Sequence, residues 1–151
     1  MLLQNKMLGQ PLGGGMLLGK PRDFRFTVDT TGNIDPVFTA GTLTDADFVW
    51  TKPDGSTFTG KAPASANFDS IGEYVLRCTD WTKITGIDFY NDKISGDMSK
   101  WGFLLPFLTG DFACSSTDVS GDVSGWDLSN ITGSFSCSST DVSGDVSGWD
   151  I

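Results

Sequence analysis

The sequence predicts an all-β chain, a small β-sandwich over residues 23–80 followed by a repeat solenoid over residues 81–151. Two observations carry this expectation. Residues 114–127 and 137–150 spell the same string, Cys-Ser-Ser-Thr-Asp-Val-Ser-Gly-Asp-Val-Ser-Gly-Trp-Asp, 23 residues apart. A period of about 20–50 residues marks a stacked array whose units bury their apolar faces on one another. Upstream of it, short alternating apolar runs are separated by turn chemistry, the pattern of an antiparallel sandwich.

Taken in order, residues 1–22 mix Gly, Leu and Met and read as a flexible anchoring segment, either tucked into a partner or disordered. Its apolar runs are short of the ~7–15 residues of a secretory signal. No stretch approaches the ~20 apolar residues of a membrane span, so no membrane insertion is expected.

Asp23-Phe-Arg-Phe-Thr-Val-Asp29 alternates as a strand does, and Thr30-Thr-Gly-Asn33 is turn-like. Ala46 to Thr59 reads as strand, Pro53-Asp54-Gly55 turn and strand, a hairpin by its turn chemistry. Ser70 to Cys78 reads as the closing strand. Trp50 with Asp54-Gly55, and Gly72-Glu-Tyr74-Val-Leu, resemble the motifs of PKD and immunoglobulin-like modules in bacterial and phage surface proteins. That resemblance covers about residues 23–80 and implies a β-sandwich.

A diverged third copy of the repeat lies at residues 84–101. Aligned on Gly-Asp, the units share columns: Ile87, Phe112 and Phe135; Phe89, Cys114 and Cys137; Asp92, Thr117 and Thr140; Ile94, Val119 and Val142; Gly96, Gly121 and Gly144; Trp101, Trp126 and Trp149. The alternating pair makes a short strand with one face inward. The Asp or Thr turns the chain and bonds backbone of the next coil, glycine permits a tight bend, and Trp closes the coil. The segment Trp101-Gly-Phe-Leu-Leu-Pro-Phe-Leu108 makes one unit two residues longer than the last. The pattern L-x-L-x-x-N-x-L-x-G-x-I resembles the leucine-rich repeat, of the type common in plant receptors and in bacterial surface and phage proteins. Leu itself is almost absent, and Phe, Cys, Val and Trp fill its slots. Asp150-Ile151 matches Asp127-Leu128, so the native solenoid is expected to continue past Ile151 or to be covered by a partner.

Net charge is −9, and all ten Lys and Arg lie at or before Lys100; residues 101–151 carry seven Asp and no cation. Such a surface repels phosphates, which argues against nucleic-acid binding. The chain has no His, so neither a conventional Ser-His-Asp triad nor a zinc site is expected. No P-loop, G-x-S-x-G or paired catalytic carboxylates appear, and no enzyme is expected. Cys114 and Cys137 fall in one inward column and should stack as small buried apolar residues; a disulfide between them is the alternative. Trp101, Trp126 and Trp149 are expected to close the core, the alternative being a sugar-stacking ladder.

Two sets of surface positions stand out. Asp97, Asp122 and Asp145 share a column, and carboxylates repeated every ~5 Å repel. The readings are local turn chemistry or calcium held by oxygen ligands. Calcium is the only cofactor the sequence suggests. The strand face that leucine-rich proteins use for binding would carry Asp88, Tyr90 and Asn91, then Ser115, then Ser138. Past the first unit it is small and hydroxylic, suited to a spacer or a weak carbohydrate contact.

The expected function is a non-enzymatic structural component of a bacteriophage virion, a tail or head fibre or decoration protein. Its N-terminal segment would join other virion proteins, and its solenoid would reach a host-surface glycan or protein; a homo-oligomer is compatible with this. The alternative is a bacterial cell-surface adhesin or recognition module.

Overall fold

The computed structural model describes residues 22–147 and Trp149. The expected anchoring segment, Arg22 apart, and the Asp150-Ile151 start of a further coil lie outside the described residues. The chain is mainly β, with two mixed sheets, neither closed. Its strands are β1 (Phe24–Val28), β2 (Val37–Ala40), β3 (Phe48–Thr51), β4 (Thr57–Thr59), β5 (Gly72–Cys78), β6 (Ile84–Asp88), β7 (Ile94–Asp97), β8 (Phe112–Ala113), β9 (Asp118–Asp122), β10 (Phe135–Ser136) and β11 (Asp141–Ser143). The larger sheet runs β11-β9-β7-β1-β5-β3-β4 and the smaller β10-β8-β6-β2.

Alternation along β1 places Phe24, Phe26 and Val28 in the core and Arg25 in solvent, as period-two patterning requires. The β3–β4 hairpin pairs Trp50 with Phe58. Its turn is closed by Lys52 N donating to Ser56 O (2.8 Å) and Gly55 N to Lys52 O (2.9 Å). Asp54 Oδ1 accepts from Ser56 N and Oγ, the carboxylate standing in for a backbone acceptor. Strand β5, read as the closing strand, lies inside the sheet, flanked by β1 and β3. Strand β2 has little alternation signal and pairs antiparallel with β6.

Each later unit adds one parallel strand to each sheet. In the smaller sheet the pairing follows the sequence columns: Ile87 opposite Phe112 opposite Phe135. In the larger sheet it is staggered. Gly96 lies opposite Val119, and Val142 opposite Gly121, two residues from the column alignment both times. An even stagger keeps side-chain parity, so Ile94, Val119 and Val142 still belong to the inward set; an odd one would turn them to solvent.

Strands β6 and β7 still pair antiparallel with β2 and β1, and parallel pairing begins with β8 and β9, so the boundary at residues 80–81 is not a change of pairing. Nor is it a gap in sheet or core. Strand β1 pairs with β5 on one edge and with β7 on the other. Phe89, from the first repeat unit, packs between Phe24 (5.6 Å between centroids), Phe26 (5.5 Å) and Phe38 (5.7 Å). One apolar cluster therefore extends from Phe24 to Leu128. Aromatic pairs at such distances add about 0.5–1.5 kcal/mol each beyond area burial.

The longer unit contains a 3-10 helix, Met98–Leu104, which periodicity reading did not foresee. Asp97 caps it by accepting from Ser99 N, and Met98, Trp101 and Leu104 are buried on one side, followed by Leu105 and Leu108. Burial fades along the stack. Phe112, Cys114, Val119 and Val123 are buried, whereas Phe135, Cys137 and Val142 are half-buried and Val146 is exposed.

One expectation about the turn column is corrected. Thr117 Oγ1 donates to Cys114 O (2.7 Å) and Thr140 Oγ1 to Cys137 O (2.6 Å). These bonds lie within each unit, not between coils, because the hydroxyl reaches back only three residues.

Candidate functional site

The outward positions of the smaller sheet divide in two. Asp88 is exposed, and its Oδ1 accepts from Tyr90 N at 2.8 Å. Tyr90 is 65% exposed, the largest aromatic surface among the described residues. Asn91 follows with φ +62°, a conformation repeated by Ser116 (+62°) and Ser139 (+57°) in the same column. Asn91 N donates to Ser115 O and Ser116 N to Ser138 O, so these left-handed residues link one unit to the next. Asn tolerates that region better than most side chains.

Ser115 is corrected as a surface candidate: it is 2% exposed. Its Oγ meets Ser136 Oγ and accepts from Ser138 N (3.0 Å) and Oγ (3.1 Å). The position is a hydroxyl junction inside the stack, because the neighbouring unit covers it. Ser138, in the half-covered last unit, is exposed. The outward face is thus anchored only by Asp88, Tyr90 and Asn91, with small groups beyond.

The Asp column is occupied by its own chain. Asp97 Oδ1 accepts from Ser99 N (3.1 Å), Asp122 Oδ1 from Ser124 N (2.9 Å) and Asp145 Oδ1 from Ser147 N (2.9 Å). Hydrogen bonds from Ser99 hold the Asp97 carboxyl below its ordinary range, with Lys100 adding to the effect. Bonds from Ser124 and Ser147 do the same for Asp122 and Asp145. Asp97 and Asp122 also each face a glycine of the following unit. A Cβ at Gly121 would fall 2.6 Å from Asp97 Oδ1, and one at Gly144 2.5 Å from Asp122 Oδ1. Among the described residues no group of three or more His, Cys, Asp or Glu is placed to hold a metal ion. Asx-turn chemistry accounts for the arrangement, with one carboxylate oxygen spent on the turn in each unit.

Trp101 is fully buried and Trp126 nearly so. Trp126 packs edge-on to Phe112 (5.7 Å) and Phe135 (6.2 Å), and Trp149 edge-on to Phe135 (5.1 Å). The tryptophans are core residues in this arrangement and form no exposed ladder. The three thiols are free. Burial pushes the Cys114 thiol up to about 12, and its Sγ lies 3.5 Å from Met98 Sδ.

Sequence reading gave Asp92 a turn role and missed what surrounds it. Its carboxyl is buried, Oδ1 accepts from Asp35 N (2.9 Å), and Oδ2 has no partner. Desolvation, with the charges of Asp35 and Asp88, raises this carboxyl to about 6. Thr117 and Thr140 in the same column were the available signal: two hydroxyl donors mark a position that wants a donor, and an ionised carboxylate has none.

No helix among the described residues is long and apolar enough to cross a membrane. No protein-family model, curated protein or solved structure matches the chain.

Proposed function

We propose that the chain is a non-enzymatic structural component of a bacteriophage particle, with an immunoglobulin-like sandwich as base and a leucine-rich-repeat-like solenoid as projection. The observation that carries this is the way near-identical units extend both sheets of the sandwich, strand upon parallel strand. Growth by a repeated unit lengthens a body without adding a new fold, which is what a fibre or decoration subunit needs. The supporting chemistry is of the same kind. The repeated side chains outside are Ser and Asp, their carboxylates engaged in turns. The acidic charge of residues 101–151 resists adhesion to nucleic acid and to anionic surfaces. Asp88, Tyr90 and Asn91 are the part of the outward face suited to host-surface contact, Tyr90 as an aromatic anchor.

The test is particle composition. Purified virions encoded beside this gene should contain the chain by mass spectrometry, and antibody labelling should place it at one fixed site in electron micrographs. Recovery only as free protein, or only in the bacterial envelope, would overturn the reading; the second result would favour a cell-surface adhesin.

A further inference from the structure

The indole N–H groups of Trp50, Trp81 and Trp101 each donate to a backbone carbonyl, of Gly60, Arg22 and Arg25. The indole N–H that is buried without a partner is that of Trp149. Trp126 is 8% exposed and donates to no carbonyl among the described residues. The N–H edge of its ring lies against Gly102, where a Cβ would sit 3.0 Å from Nε1 and 3.4 Å from Cδ1. Gly102 and Trp126 together wall a cavity of about 610 Å³. It arises where the longer unit departs from the regular repeat, between the Met98–Leu104 helix and the turn after Trp126.

The rest of the lining mixes charged and polar groups with the apolar Leu105 and Pro106, and its charges are balanced. Arg22 and Lys100 supply donors, Asp122 and Asp127 supply acceptors, and Asn130 supplies both. Asp127 spends one oxygen on Ser129 N (3.0 Å), as Asp122 does on Ser124 N. Phe103 adds an aromatic face, with the Arg22 guanidinium 5.5 Å from its centroid. Two cations against two carboxylates give no preference for an ion of either sign. An apolar ligand would bury charges without partners. A ligand bearing several hydroxyls both donates and accepts, so it satisfies carboxylates, amide, guanidinium and indole together. The C–H face of a sugar ring also suits an aromatic wall. The volume falls within the roughly 300–1,000 Å³ of small-molecule sites.

We propose that this cavity binds a neutral saccharide one or two pyranose rings long, with the Trp126 N–H as one of its donors. The proposal does not rest on the particle assignment, since it concerns the purified chain alone. It also differs from the Tyr90 face, which lies on the outer side of the smaller sheet.

The experiment is a titration of the full chain, its tryptophans labelled with nitrogen-15, against glucose, galactose, N-acetylglucosamine, lactose, cellobiose and chitobiose, with glucuronic acid as the anionic control. The expected result is a saturable, millimolar shift of the Trp126 indole resonance by at least one neutral sugar. Asn130→Ala and Arg22→Ala, which leave the core untouched, should weaken it about tenfold. Absence of any saturable shift from the whole panel would overturn the proposal. So would a response to glucuronic acid equal to or larger than that to the neutral sugars, or a response unchanged in both variants.

Discussion

The indole N–H of Trp101 donates to the carbonyl oxygen of Arg25 at 3.0 Å, tying together residues 76 positions apart. The same ring lies 4.7 Å from Phe24 and 5.7 Å from Phe89. The first repeat unit and residues 23–80 therefore share a hydrogen bond, a strand pairing and a core. They should unfold as one body. Urea denaturation followed by far-ultraviolet circular dichroism and by tryptophan fluorescence should give coincident single transitions. Trp101→Ala should cost about 3–5 kcal/mol and lower both signals together; two separated midpoints in the wild type would contradict the shared core.

Asp92 sets a pH dependence of unusual sign. Its carboxyl is raised from 3.8 to about 6, so the folded chain holds the proton more tightly than the unfolded chain. The stabilisation from protonated Asp92 is complete below about pH 4 and is lost as pH rises through about 6, a difference of about 3 kcal/mol at ~1.4 kcal/mol per unit. Asp92→Asn keeps an acceptor for Asp35 N and adds an amide donor in the column where Thr117 donates to Cys114 O. The variant should be more stable than wild type by about 1–3 kcal/mol at pH 7.5, and the gap should close toward pH 4. Urea midpoints of both proteins across this range test it, and a gap that does not change with pH would refute it.

Gly121 is held at φ +121° with no room for a methyl group beside Asp97 and Ser99. Gly121→Ala should destabilise by about 1–3 kcal/mol through backbone strain and displacement of the Asp97 turn. Gly125, with nothing within 4 Å of its Cβ position and no left-handed φ, is the internal control: Gly125→Ala should stay within about 0.5 kcal/mol of wild type. Thermal melts of the two variants separate steric from compositional effects.

The cysteines should react in a set order. Cys137 is half-buried, whereas Cys114 is fully buried with its thiol pushed up to about 12. Thiolate is the reactive form, so native protein exposed to iodoacetamide at pH 8 should be alkylated first at Cys137. Cys114 should label only on unfolding. Peptide mass mapping over time reads the order directly.

Much of this was legible in the sequence because it is local or repeated. The Asp54-Gly55 turn announces its hairpin, the alternation of Phe24, Phe26 and Val28 announces a strand, and equal spacing from Phe112 to Phe135 announces the register of the smaller sheet. The pairing of β1 with β7 left no such trace, since Thr27 and Ser95 carry no mark of their adjacency. The Met98–Leu104 helix was hidden because a run of Trp, Phe and Leu looks alike in strand and helix; Asp97 with Ser99 was the cap that could have revealed it. The cavity beside Trp126 needed coordinates, because it depends on how the Met98–Leu104 helix sits against the turn after Trp126.

The uneven register of the two sheets has a consequence for shape. From one unit to the next, equivalent residues stay level in the smaller sheet but slip by two residues in the larger, or about 6–7 Å. The segments that join the two sheets within a unit must take up this difference, in keeping with the natural twist of strands. A partner laid along the smaller sheet meets the same column of residues at every unit, whereas one laid along the larger sheet meets a column that steps sideways each time.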